Sequence, residues 1–62
     1  MTIEIYRKHY INGIGFEDET AETIYKNVSD IQITSKYIFG NIDGEQLTIK
    51  TDHFNYAYTI QG

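Results

Sequence analysis

Ile3-Glu4-Ile5-Tyr6-Arg7-Lys8-His9-Tyr10-Ile11-Asn12-Gly13-Ile14-Gly15-Phe16 carries the signal from which the fold follows. Asn-Gly supplies the positive φ that a two-residue type I′ turn requires, and that turn matches the twist of the strands it joins. Ile3, Ile5 and Ile11 share one parity before the turn, whereas Tyr6 and Tyr10 share the other. Ile14 and Phe16 alternate after it. The stretch therefore predicts a hairpin with one apolar face and a second face that is either solvated or covered by another layer.

The same chemistry recurs downstream. Asp43-Gly44 separates Tyr37-Ile38-Phe39-Gly40-Asn41-Ile42 from Gln46-Leu47-Thr48-Ile49-Lys50-Thr51, where Leu47 and Ile49 oppose Gln46, Thr48 and Lys50. This predicts a second hairpin. Thr51-Asp52-His53 reads as a short turn, and Phe54, Tyr56, Tyr58 and Ile60 alternate with Asn55, Ala57 and Thr59 as a strand whose aromatic side faces the core. Ile31 and Ile33 begin another strand, ending in a kink at Ser35-Lys36.

Residues 18–28 leave two readings open. Ala21, Ile24, Tyr25 and Val28 fall on one face of a helix, with Asp18 as its cap and Glu19 and Glu22 near its positive end. Thr20, Thr23, Ile24, Tyr25 and Val28 are equally good strand formers, and a helix this short is marginal without tertiary support. The fold class is mainly β. Five or six short antiparallel strands form a meander that curls into a small barrel or a sandwich, with a short helix near residues 18–28 as the open alternative.

Size limits what such a fold can do. The chain of 62 residues has no Cys to staple it, and a domain of this length buries only about 60% of the surface its unfolded form exposes. It is expected to be a single small domain, residues 1–62. No apolar run nears the ~20 residues of a bilayer span, and residues 1–8 lack the order of a signal peptide. Absent Cys suits a reducing compartment, so a cytoplasmic protein is expected.

Candidate chemistry is sparse. Ser29 and Ser35 are the only serines, and His9 and His53 the only histidines; neither pair has the spacing of a nucleophile with its base or of a metal site. A calcium loop around Asn41-Ile42-Asp43-Gly44 fails because Phe39 and Lys50 stand where carboxylates are needed. Gly13-Ile14-Gly15 lies inside a hairpin rather than before a helix, so it is no phosphate loop. The expectation is a non-enzymatic protein without metal or cofactor.

Charge gives the positive clue. The formal net charge is -4, and residues 17–30 alone carry it: Glu17, Asp18, Glu19, Glu22 and Asp30 against Lys26. Such a segment repels phosphate and attracts a basic protein surface. Tyrosine offers area at low entropic cost, so Tyr6 and Tyr10 on the second face of β-strand 3–11 are the apolar anchors of choice. The candidate partner-binding set is Glu17, Asp18, Glu19, Glu22, Tyr6 and Tyr10. The expected partner is a larger protein with a basic surface, not a membrane. A tyrosine-stacking barrel for single-stranded nucleic acid is the first alternative, weakened by the acidic balance. A homo-oligomer that pairs strand edges is the second. Over the whole chain, this short, acidic, cysteine-free, β-rich profile is similar to that of small phage-encoded inhibitors of bacterial defence or host enzymes. That resemblance implies an inhibitor and assigns no residues.

Overall fold

The computed structural model describes residues 1–62, and every regular element in it is a strand. There are seven: β1 (Thr2–Ile11), β2 (Ile14–Glu17), β3 (Thr23–Tyr25), β4 (Ser29–Ile33), β5 (Tyr37–Ile42), β6 (Glu45–Lys50) and β7 (Tyr56–Gln61). All pairings are antiparallel. The strands form two sheets that do not close into a barrel.

The first sheet is organised by β1. Its C-terminal half pairs with β2, from Ile11↔Ile14 to Lys8↔Glu17, as the Asn12-Gly13 turn dictates. Asn12 and Gly13 have φ of 53° and 80°, the left-handed geometry of that turn. The N-terminal half pairs with β3 through Ile3↔Tyr25 and Ile5↔Thr23. Between them, the Asp18 amide donates to the Arg7 carbonyl and the Glu22 amide to the Ile5 carbonyl. β2 and β3 thus lie end to end along one edge of β1, with residues 18–22 bent outward. β7 takes the opposite edge, from Thr2↔Gln61 to Arg7↔Tyr56.

The second sheet has the order β4-β5-β6. Asp43 and Gly44, at φ of 51° and 82°, set the β5–β6 register, which opens on Ile42↔Glu45 and continues through Ile38↔Ile49. The β4–β5 register shifts between Ser29 and Gln32, with Asp30 at a φ of 53°.

The chain crosses between sheets at Val28. Its amide donates to the Met1 carbonyl, and its carbonyl accepts from the Met1 ammonium at 2.9 Å. Ile3 from the first sheet, Ile38 from the second and Val28 between them form the buried core. Ile5, Tyr25, Ile31, Ile42, Leu47, Ile49, Tyr58 and Ile60 surround it, half-buried. The parity expected for Ile3 with Ile5 and for Leu47 with Ile49 is the one that packs inward.

Three expectations need correction. No helix occupies residues 18–28: the chain bends at 18–22, runs as β3, and turns again at Asn27, whose φ is 59°. Tyr25 and Val28 reach the core, but Ile24 points to the opposite face and is half exposed. The bends, not helical pitch, produce the spacing of apolar residues. The strand number is seven rather than five or six, because β3 is a strand and β2 is separate from it. Phe54 lies outside the core at 69% exposure, since residues 53–55 form a turn and β7 starts only at Tyr56.

Asp52 holds that turn. Its carboxylate accepts from the Asn55 side chain at 2.7 Å and from the amides of Phe54 and Asn55 at 3.2 Å. These bonds, the Asn55 side chain first, hold the Asp52 carboxyl below its ordinary value of 3.8. A depressed carboxyl stabilises the fold above its ordinary value, and that stabilisation disappears as acid titrates the native group. Thermal melts should therefore separate the wild type from Asp52→Ala by a constant margin above pH 4, and the margin should shrink at lower pH. A margin that stays constant into strong acid would contradict the role given to the carboxylate.

Candidate functional site

The even-numbered residues of β1 define the outer face of the first sheet, away from the core. Glu4, Tyr6, Lys8 and Tyr10 project there, beside Glu17 of β2 and Ala57 and Thr59 of β7. Tyr6 sits at the centre of this face because β1 is flanked on both edges. Its ring, with Glu17, Asp18, Glu19, Ala57, Tyr58 and Thr59, lines an open depression of about 280 Å³. The outward bend at 18–22 brings the acidic run to the rim.

No Lys, Arg or His lines that depression. The nearby cations are held elsewhere. Lys8 is cross-strand from Glu17, but its ammonium donates to the His53 carbonyl at 2.6 Å. Arg7 points to the opposite face, where Nη2 meets Glu22 Oε1 at 2.7 Å and the guanidinium lies 5.6 Å from the centre of the Tyr56 ring. The remaining ion pair joins His9 Nε2 to Asp18 Oδ1 at 2.6 Å and carries charge only when His9 is protonated. Glu17 and Glu19 are exposed and unpaired.

Tyr6 engages one more negative group on this face, Glu4. Its hydroxyl donates to the Glu4 carboxylate. That bond raises the Tyr6 pKa above 10.0, with burial and the Glu4 charge adding in the same direction. The phenol is thus neutral across the physiological range and fixed in orientation by Glu4, with its ring half-buried.

Of the six residues expected to act together, Tyr6, Glu17, Asp18 and Glu19 share the depression. Glu22 does not: it is turned to the inner face and neutralised by Arg7. Tyr10 shares the outer face but not the depression. Its ring stacks on Phe54 at a centroid distance of 4.9 Å, and its hydroxyl donates to the Phe54 carbonyl. Sequence reasoning passed over Glu4, Ala57 and Thr59. The alternation of β7 held the signal for the last two, since a strand with Tyr58 and Ile60 inward must turn Ala57 and Thr59 outward.

A second hollow, about 260 Å³, opens between the sheets, floored by Ile5, Ile38 and Ile49 and rimmed by Lys50, Asp52 and His53. Asp52 and His53 are neighbours there, but both Asp52 oxygens are engaged by its own turn. No three His, Asp or Glu side chains gather as a metal-holding group, and no helix is long and apolar enough to cross a membrane. Comparison with protein-family models, with curated proteins and with solved structures finds no match for this chain. What the outer face can do is read from its own chemistry.

Proposed function

We propose that this chain is a non-enzymatic protein-binding module whose outer face docks on a basic surface of a larger protein and occludes it, in the manner of a phage-type inhibitor that covers a nucleic-acid-binding surface. The observation that carries this reading is the meeting of Glu17, Asp18 and Glu19 with the Tyr6 ring around one depression that no cation lines. Unpaired carboxylates at a rim steer a basic partner and raise the rate of encounter. An aromatic ring with its hydroxyl already satisfied can be covered without stranding a polar group, so it slows release. Arginine fits this geometry best, since its guanidinium can pair with a carboxylate while stacking on the Tyr6 ring.

The test is capture from cell lysate at low and high salt, with mass spectrometry, using the wild type beside a Glu17→Gln/Asp18→Asn/Glu19→Gln variant. The expected result is a basic protein retained by the wild type at low salt and released by high salt. The variant should bind it at least about tenfold more weakly, as three rim charges together warrant. Capture indifferent to both salt and the substitutions would overturn the reading.

A further inference from the structure

We propose that β2 is a self-pairing edge, and that two copies of this chain join antiparallel across a two-fold axis at Gly15. The Asp18 amide points to β1, where it donates to the Arg7 carbonyl. Strand alternation then turns the amides and carbonyls of Ile14 and Phe16 to β1, and those of Gly15 and Glu17 outward. A second Gly15, antiparallel, satisfies both outward groups of the first, and the first satisfies both of the second.

The side chains fit that register. With Gly15 opposite its own copy, Ile14 faces Phe16 of the other molecule, twice, on the inner side of the sheet. Ile14, Phe16 and Ile11 are the apolar residues left bare on the inner face of this hairpin, at 73%, 46% and 61% exposure. They continue the face that Ile3 and Ile5 bury, beyond the point where the second sheet ends. On the outer side, the Tyr10 ring lies over Gly15, so close that a Cβ there would stand 2.8 Å from Cε1. It shields the glycine where no side chain does.

The shape of the chain agrees. Its radius of gyration is 12.4 Å and its longest dimension 43 Å, whereas a compact chain of this length has a radius near 10.6 Å. Its accessible surface is 4642 Å², against about 4100 Å² for a folded monomer of this mass.

Charge selects a second copy of this chain. Residues 11–16 contain no charged side chain, so two such edges meet without repulsion. The antiparallel register sets the two Glu17 residues about 14 Å apart along the strands, beyond the ~8 Å screening length of physiological salt. The other edges are guarded: β3 by its length of only three residues, β4 by its irregular register at Asp30, and β6 by Glu45 and Lys50 at its ends. β7 exposes only Thr59 and Gln61, so pairing there covers no bare apolar side chain. β2 carries a charge only at its last residue, Glu17, and its Ile14–Phe16 stretch has none of these protections. Three apolar residues and four strand residues per copy fall short of the ~800 Å² per partner of a stable complex, so this dimer dissociates on dilution. It forms without the basic partner proposed above, so the two readings stand or fall separately.

Sedimentation of the full chain from about 10 μM to about 1 mM spans the range where such a contact is populated. The expected result is an average mass rising toward twice that of the monomer. Ile14→Lys places a charge against Phe16 of the other copy and should weaken the dimer at least about tenfold, with an unchanged circular dichroism spectrum. In the wild type, the Gly15 amide should exchange with deuterium more slowly as concentration rises, a readout that needs no variant. A monomer throughout the range, a variant that dimerises as well as the wild type, or Gly15 exchange independent of concentration would each overturn the proposal.

Discussion

Gly40→Ala should cost about 2–3 kcal/mol, the upper range for forcing one extra carbon into a packed core. Gly40 lies on β5 against Val28, the residue at which the chain crosses between sheets. A Cβ there would stand 2.6 Å from Val28 Cγ1 and 3.3 Å from the Ser29 carbonyl oxygen. Val28 cannot move aside, because it is 2% exposed and its branched side chain is confined at χ1. Relief must come from separating β5 from the crossing segment, which opens the core. With about 3–9 kcal/mol of total stability expected for 62 residues, the loss lowers the melting temperature by about 10–20 °C. Val28→Ala in the same chain should recover part of it, since the smaller side chain vacates the contested space. Thermal melts of both single variants and the double variant check this, and strictly additive losses would contradict it. Gly15→Ala is the contrast. Its Cβ meets only the Tyr10 ring, at 2.8 Å, and that ring is 42% exposed, so it can shift by loosening its surface contacts with Phe54. Its cost should stay within about 1 kcal/mol.

Ile3→Ala should remove about 2–5 kcal/mol, enough to leave much of the chain unfolded at 37 °C. Ile3 is fully buried and forms the three-residue core with Val28 and Ile38. It also sits where β1 pairs with β3 on one edge and β7 on the other, so a void there loosens both sheets' attachment. Ile24→Ala, one strand over but half exposed on the outer face, should cost less than about 1 kcal/mol. Urea unfolding of the two variants separates them. Equal losses would mean that the core lies elsewhere than around Ile3, Val28 and Ile38.

Much of the fold is legible where local chemistry decides it. Asn12-Gly13 and Asp43-Gly44 each demand left-handed turn residues, and both hairpins close at the residues those pairs require. Legibility fails where the backbone leaves regular alternation. Residues 18–22 and Asn27 are bends whose purpose is to carry one chain past β1 and into the second sheet, and no local pattern states that purpose. Their effect is to scatter Ala21, Ile24, Tyr25 and Val28 into a spacing that imitates a helix. Phe54 misleads for a related reason. Its parity continues that of Tyr56 and Tyr58, but the Asp52 carboxylate claims the backbone of residues 54 and 55 first.

The candidate site was half visible. An acidic run and a tyrosine of outer parity are sequence facts, and the structure places Tyr6 with Glu17, Asp18 and Glu19. Separating Glu22 from that group required knowing that β3 brings Glu22 to Arg7, and the position of Tyr10 required knowing where Phe54 goes. Both depend on contacts between residues 15 and 44 positions apart, beyond the reach of periodicity.

The most direct measurement is an amide NMR titration of the wild-type chain with an arginine-rich peptide at low salt. Docking through the outer face predicts shifts centred on Tyr6, residues 17–19, Ala57 and Thr59, which disappear when Glu17, Asp18 and Glu19 are made neutral. Shifts centred on Glu22 or around Asp43 and Glu45, or none at all, would contradict it.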